Sequence, residues 1–204
     1  MDMNLFIDRV LEAAKAAGIE TAEVYCVTGE NFRASAMDGE INQYQVSASQ
    51  NLSLRGTVNG KMGTSSTQAF DDAAIEQLIE GVKESADLVE SDEQDEIFAG
   101  EKEYPQVKET ETDMDSVPAE EKLALCLAIE KAAKEADERI WKVNGATVAT
   151  ARSTIRLKNS FGLDLTDSGA MCLAYAAPIA KAEGKTATGG HVGCLLYTSP
   201  SPRD

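Results

Sequence analysis

One histidine, His191, occurs in 204 residues, and Val192 and Gly193 follow it rather than spaced acids or a second histidine. Zinc sites usually take three protein ligands, with two commonly close together on one element. The four cysteines, Cys26, Cys126, Cys172 and Cys194, form no C-x-x-C pair and sit on unrelated segments. No metal site is therefore expected within this chain. No apolar run approaches the ~18 residues of a membrane span. The first residues carry Asp2 and Asp8 and no basic stretch, which argues against a secretory signal. Unpatterned cysteines without such a signal suggest free thiols in a reducing cytoplasm.

Positive charge is also scarce. The chain holds 19 Lys and Arg against 35 Asp and Glu, a formal charge of −16. Between Glu84 and Glu121 stand fifteen acids against Lys102 and Lys108, a net of −13, so the remainder is nearly neutral. Lys and Arg neutralising phosphates supply most non-specific nucleic-acid affinity. An acid excess of this size repels that backbone, so direct nucleic-acid binding is not expected. The acidic run reads as a solvated linker.

What is present is turn chemistry and alternation. A hydrophobic content of 43% is ordinary for a globular protein, and the length allows one full domain and part of another. From Leu5 to Ala17, Ile7, Val10, Leu11 and Ala14 recur at helical spacing, with Asn4 as candidate N-cap and Gly18 as stop. From Thr21 to Thr67, four strand-like runs are separated by turn signals at Thr28 to Asn31, Asp38-Gly39, Ser47 to Gln50 and Asn59-Gly60. Asp-Gly and Asn-Gly are strong hairpin signals, because both turn residues must tolerate positive φ. Val24, Cys26, Phe32, Ala34 and Ala36 alternate as strand residues, followed by Ile41, Tyr44 and Val46; Leu52, Leu54 and Gly56 then point to one side of the next strand, and Ser53 and Arg55 to the other.

A second helix is predicted from Asp72 to Val89, capped by Asp71 or Asp72, with Ile75, Leu78, Ile79, Val82 and Ala86 on its apolar face. Pro118 opens a third, whose expected buried stripe is Leu125, Ala128, Ile129, Ala132 and Ala136. Strands should follow over Ala146 to Lys158 and Cys172 to Lys181, joined through Asn159-Ser160-Phe161-Gly162. The expectation is an α+β fold: an antiparallel β-meander flanked by helices, then a truncated second α+β domain. Domains are expected over 1–90 and 118–193, with an acidic linker at 91–117 in which Tyr104-Pro105 touches a neighbouring surface. The echo of Val-Asn-Gly at Val58 to Gly60 and Val143 to Gly145 is too short to argue a repeat.

The order helix, meander, Leu-Arg-Gly strand, Asn-Gly-Lys turn, Gly-Thr-Ser-Ser-Thr strand and helix resembles the N-terminal domain of the TldD/PmbA family. These are metalloprotease-related proteins also called modulators of DNA gyrase. The resemblance continues through Arg152 to Gly162 and runs to about His191. It implies a PmbA/TldE-like, non-catalytic subunit that pairs with a TldD-like catalytic subunit. Zinc would be held by the partner's His-Glu-x-x-x-His helix, and the pair would cleave small or unfolded peptides. Two alternatives stay open: an N-terminal fragment of the catalytic TldD-type subunit, and a peptide-binding or regulatory module. No catalytic or metal-binding residue is assigned here.

Arg55, Lys61, Arg152, Arg156 and Lys158 are the basic residues of the most family-like segments. They are candidates for guiding a peptide backbone or its terminal carboxylate. Equally, Arg152 to Lys158 alternate polar with apolar, so they fit solvent-facing strand positions. Thr64 to Thr67 offer hydroxyls without a nearby base, which argues against a serine nucleophile. Asn59 to Thr64 joins two strands and so is no phosphate loop. Asp38 and Glu40 would do acid–base work only in a buried cleft. Finally, Cys194 to Asp204, CLLYTSPSPRD, resembles a translated adapter tail, although a natural Ser/Pro-rich terminus has the same composition. It is expected to lack regular structure, and the chain to be a fragment that has lost its C-terminal region.

Overall fold

The computed structural model describes residues 1–90, 95–105 and 116–197, the last three by backbone alone. Among these residues lie three helices and seven strands in the order α1 (Met3–Ala16), β1 (Ala22–Met37), β2 (Glu40–Val58), β3 (Lys61–Thr67), α2 (Asp72–Asp87), α3 (Ala119–Glu135), β4 (Ile140–Asn159), β5 (Asp164–Ala182), β6 (Lys185–Thr188) and β7 (His191–Tyr197). The strands pair in the order β3-β2-β1-β4-β5-β6, with β7 also on β5. This is the expected α+β class.

The meander has fewer and longer strands than the turn signals implied. β1 runs through Thr28 to Asn31, and β2 runs through Ser47 to Gln50. The true turns are those with positive φ at both central residues: Asp38-Gly39, Asn59-Gly60 and also Glu183-Gly184, the type I′ geometry that matches strand twist. Gly29 is not among the positive-φ glycines, so nothing in its backbone turns the chain. The chain divides into two compact units, Met1–Gly29 with Ser49–Gln106 and Thr154–Asp167, and Glu30–Ala48 with Val107–Ser153 and Ser168–Asp204. The polar stretches read as turns therefore fall where a strand passes from one unit to the other.

In the first unit, α1 and α2 cover one face of the sheet. Asp2, rather than Asn4, caps α1, its carboxylate accepting from the Asn4 and Leu5 N–H groups. Gly18, at φ +80°, closes the helix: its N–H donates to Lys15 O, and Ile19 N–H donates to Ala14 O. That is the Schellman pattern, which satisfies carbonyls the helix cannot. Phe6, Ile7, Val10 and Ala14 pack with Val24, Cys26, Leu52, Leu54, Leu78 and Val82. Phe6 stacks on Phe70 with centroids 4.6 Å apart. At α2, Asp71 accepts from Ala74 N–H.

Part of the expected acidic linker belongs to this unit. Ile97 is buried, and the Tyr104 hydroxyl accepts from Glu101 N–H. Residues 91–94 and 106–115 of that linker lie outside the described residues.

In the second unit, α3 packs on Phe32, Ala34, Ala36 and Val148. Its buried residues are Cys126 and Glu130, with Ala119, Leu123 and Ile129 half-buried. The expected stripe is thus rotated: Leu125, Ala128, Ala132 and Ala136 are exposed, and of the five only Ile129 faces inward. Apolar residues occupy nearly every position from Leu123 to Ile129, so spacing alone did not define a face. Buried Glu130 completes the packing by accepting from Gly39 N–H at the β1–β2 turn, 3.0 Å away. Tyr44 and Val46 lie in β2 as strand residues and are 55% and 64% exposed.

β7 pairs with β5 from Ala176↔His191 to Ala170↔Tyr197. Residues 194–197, expected to lack regular structure, are therefore extended, because pairing satisfies their backbone groups. Residues 198–204 lie outside the described residues. The Val-Asn-Gly echo also separates: Asn59-Gly60 is a turn, whereas Gly145 lies inside β4 at φ +93°, where a Cβ would meet Ser35 Oγ at 3.3 Å.

Candidate functional site

Strand alternation decides which groups the first unit presents away from its helices. On β1, Val24 and Cys26 point into the core, so Glu23 and Tyr25 point to the other face. On β2, Leu52 and Leu54 point inward, and a Cβ on Gly56 would meet Ile19 at 2.5 Å, so Ser53 and Arg55 point outward. On β3, Gly63 lies against α2 and Ser65 near Gly81, so Thr64 points outward, paired in register with Arg55.

The result is a hollow of about 390 Å³ lined by Glu23, Tyr25, Ser53, Leu54, Arg55 and Thr64. At its base the Glu23 side chain is only 7% exposed, and Arg55 Nη2 meets its Oε1 at 2.7 Å. Arg55 Nε donates to the same oxygen, also at 2.7 Å. The guanidinium is thus anchored by one edge, and the Arg55 side chain as a whole remains 44% exposed.

The other sequence candidates go elsewhere. Lys61 Nζ donates to Val89 O at 2.5 Å, just past the C-terminus of α2, where a cation suits the helix dipole. Arg156 grips Asp164 with Nε and Nη2 at 2.9 and 2.8 Å, and also donates to Asn4 Oδ1. Lys158 Nζ bonds Asp8 at 2.5 Å and lies 3.4 Å from Asp164. Arg156 and Lys158 are therefore brought together, through Asp164 and on the α1 side. Arg152 belongs to the second unit. Asp38 is an exposed turn residue paired with Lys142 at 3.0 Å, not a group in a cleft. Thr67 Oγ1 accepts from Ala69 N–H, a local turn bond.

Arg156's hydrogen bonds hold the Asp164 carboxyl below its usual range. A depressed carboxyl stabilises the fold above its unfolded value, near 3.9, and that contribution is lost as pH falls through the folded value. Thermal melts between pH 5 and pH 2 should show this unit losing stability. Asp164→Asn should flatten the curve; an unchanged curve would remove the pair from the account.

Glu23 was the residue that sequence reasoning missed. The available signal was slight: Glu23 and Arg55 are an acid and a base on the outward side of neighbouring strands that also carry other polar and charged residues.

The donors present among the described residues do not fit a zinc ion. Among the described residues, no group of three or more His, Cys, Asp and Glu is placed to hold a metal. Cys26 is buried in the helix–sheet core, which pushes its thiol up to about 11. Cys126 is buried and its Sγ–H donates to Ala34 O, and burial raises it too. Cys194 faces Leu173 in the β5–β7 register while Cys172 faces residue 195, so Cys172 and Cys194 project from opposite faces.

The second unit has its own hollow, also about 390 Å³, lined by Val117, Leu125, Val148, Thr150 and Cys172 beside Glu121 and Lys122. It is mainly apolar.

Solved structures of other proteins share this α+β fold. A protein named for modulation of a DNA gyrase from Thermotoga maritima superposes with TM-score 0.79 at 21% identity, over 100% of this chain and 44% of that one. Another so named, from Bacteroides thetaiotaomicron, gives 0.79 at 18% identity, over 95% and 44%. TldE from Thermococcus kodakarensis gives 0.72 at 15% identity, over 94% and 42%. The chain thus spans less than half the length of these proteins. Residues 22–86 match the model of PmbA/TldA metallopeptidase domain 1, and residues 112–199 match that of the PmbA/TldA metallopeptidase central domain. The chain belongs to the PmbA/TldD family. No curated protein matches it.

Proposed function

We propose that this chain is a PmbA/TldE-like, non-catalytic subunit of a zinc metalloprotease acting in the cytoplasm on small or unfolded peptides. The observation that carries the reading is the succession of metallopeptidase domain 1 and central domain along one chain. The likeness to TldE supports the branch. Hydrolysis of a peptide bond by a metalloenzyme needs a polarising cation and an activated water, and the donors among the described residues do not suit that cation. Zinc and its ligands are assigned to a TldD-like partner bearing His-Glu-x-x-x-His, and this chain to enclosing and orienting the peptide. Because both matched models are named as metallopeptidase domains, the alternative is that these domains belong to the zinc-bearing subunit itself.

Co-expression with a His-Glu-x-x-x-His protein of the same genome should give a stable complex. That complex should cleave unstructured peptides and lose this activity in chelator, while this chain alone should cleave none. Chelator-insensitive cleavage, or full activity from either protein alone, would count against the proposal.

A further inference from the structure

We infer that Arg55, held from beneath by Glu23, binds a carboxylate of a peptide in the hollow facing away from α1 and α2. This rests on the peptide-processing reading above and deepens it. Both guanidinium bonds, from Nε and Nη2, converge on the single oxygen Oε1 of Glu23. Among the described residues, Glu23 is the only group that bonds Arg55, which leaves Nη1 and the outer hydrogen of Nη2 for a ligand in the hollow that Arg55 lines. A guanidinium presents its donors as a planar fork that matches a carboxylate. Holding one edge of that fork leaves the other oriented, at little further entropy cost on binding. Glu23 is a carboxylate buried to 7% exposure on an outward strand face, and a buried charge is costly unless it is paired, which ties Arg55 to it. Tyr25 and Thr64 add hydroxyls to the rim, and the Tyr25 residue is 43% exposed, leaving its ring free to flank a side chain. The chain's overall charge of −16 repels anions at long range, so this local fork would select carboxylates presented on an otherwise neutral or basic peptide.

The carboxylate could be the peptide's C-terminus or an acidic side chain, and the test separates these. Titration calorimetry of the 204-residue chain would use three N-acetylated probes: Ala-Ala-Ala-Tyr with a free C-terminus, its C-terminal amide, and that amide with one Ala replaced by Glu. Tighter binding of the first than of the second, by tenfold or more, is expected if the terminus is read. Tighter binding of the third than of the second would assign the acidic side chain. Arg55→Lys, which keeps charge but loses the fork, should cost most of that discrimination. Because Arg55→Ala alone would strand Glu23, the paired variant Glu23→Gln/Arg55→Gln is the folded control, with its melt checked first. Equal binding of all three probes, no binding of any, or discrimination that survives in the paired variant would overturn the inference. None of these outcomes depends on peptide cleavage or on a partner subunit, so the subunit assignment stands or falls separately.

Discussion

Alanine at position 63 should leave the first unit unable to fold cooperatively, although glycine-to-alanine adds a single methyl group. A Cβ on Gly63 would fall on the carbonyl oxygen of Val82, well inside contact distance, and 2.9 Å from Ala86 N. Both obstacles are backbone atoms of α2, so no rotamer change relieves them. Overpacking a core by a methylene typically costs about 1–3 kcal/mol when side chains can give way. Here the whole helix must lift from β3, which also breaks the bond from Thr64 N–H to Ser85 Oγ at 3.1 Å. The expected loss exceeds about 3 kcal/mol, a large share of a domain's ~5–15 kcal/mol. Gly60→Ala is the matched control. Gly60 sits at φ +75° with nothing within 4 Å of a Cβ, so its cost is only the left-handed strain of about 1–2 kcal/mol. Urea melts of both variants measure the contrast. A Gly63→Ala protein as stable as the parent would mean that α2 does not rest against β3.

The Gly63 contact also shows which parts of this fold the sequence made legible. Asp-Gly and Asn-Gly specified two hairpins, because that chemistry is local: φ above zero at two successive residues. The apolar faces of α1 and α2 were equally readable, since each helix has one apolar stripe and one polar side. The stripe of α3 was not, because apolar residues nearly encircle its middle and the neighbouring sheet selects Cys126 over Leu125. The breaks at Thr28 to Asn31 and Ser47 to Gln50 were real interruptions in apolar alternation. They mark where the chain changes unit within β1 and β2. At the candidate site, Arg55 was singled out by its segment and Glu23 was not. Their pairing depends on β1 and β2 lying side by side, a non-local fact that no spacing along the chain encodes. Likewise, Arg156 and Lys158 look alike in sequence to a substrate-guiding pair, and only the positions of α1 and of the start of β5 hand them to Asn4, Asp8 and Asp164.

Asn159→Ala should be the most damaging polar substitution, with a loss of about 2–4 kcal/mol. Sequence reasoning assigned Asn159 to Gly162 a turn role, and Gly162 does carry φ +94°. The structure adds a clamp. Asn159 is 3% exposed. Its Oδ1 accepts from Phe161 N–H at 3.0 Å and Leu163 N–H at 3.1 Å, and its Nδ2 donates to Phe98 O at 2.8 Å. Alanine removes all three bonds at once, and each buried partner left unpaired costs about 1–3 kcal/mol. Water can rescue Phe161 N–H, whose residue is exposed, but Leu163 N–H lies inside. Next to it, Ser160 exchanges bonds with the start of β1: its N–H donates to Ala22 O at 2.8 Å, and its Oγ accepts from Ala22 N–H at 3.1 Å. Ser160→Ala removes only the second of these, so about 1 kcal/mol is expected. The two substitutions also differ in what they release. Losing the Phe98 bond should free the segment around Ile97, so amide exchange at residues 97–101 should rise in Asn159→Ala and stay unchanged in Ser160→Ala. If the two variants lose equal stability and residues 97–101 exchange alike, Asn159 closes a turn and fastens nothing beyond it.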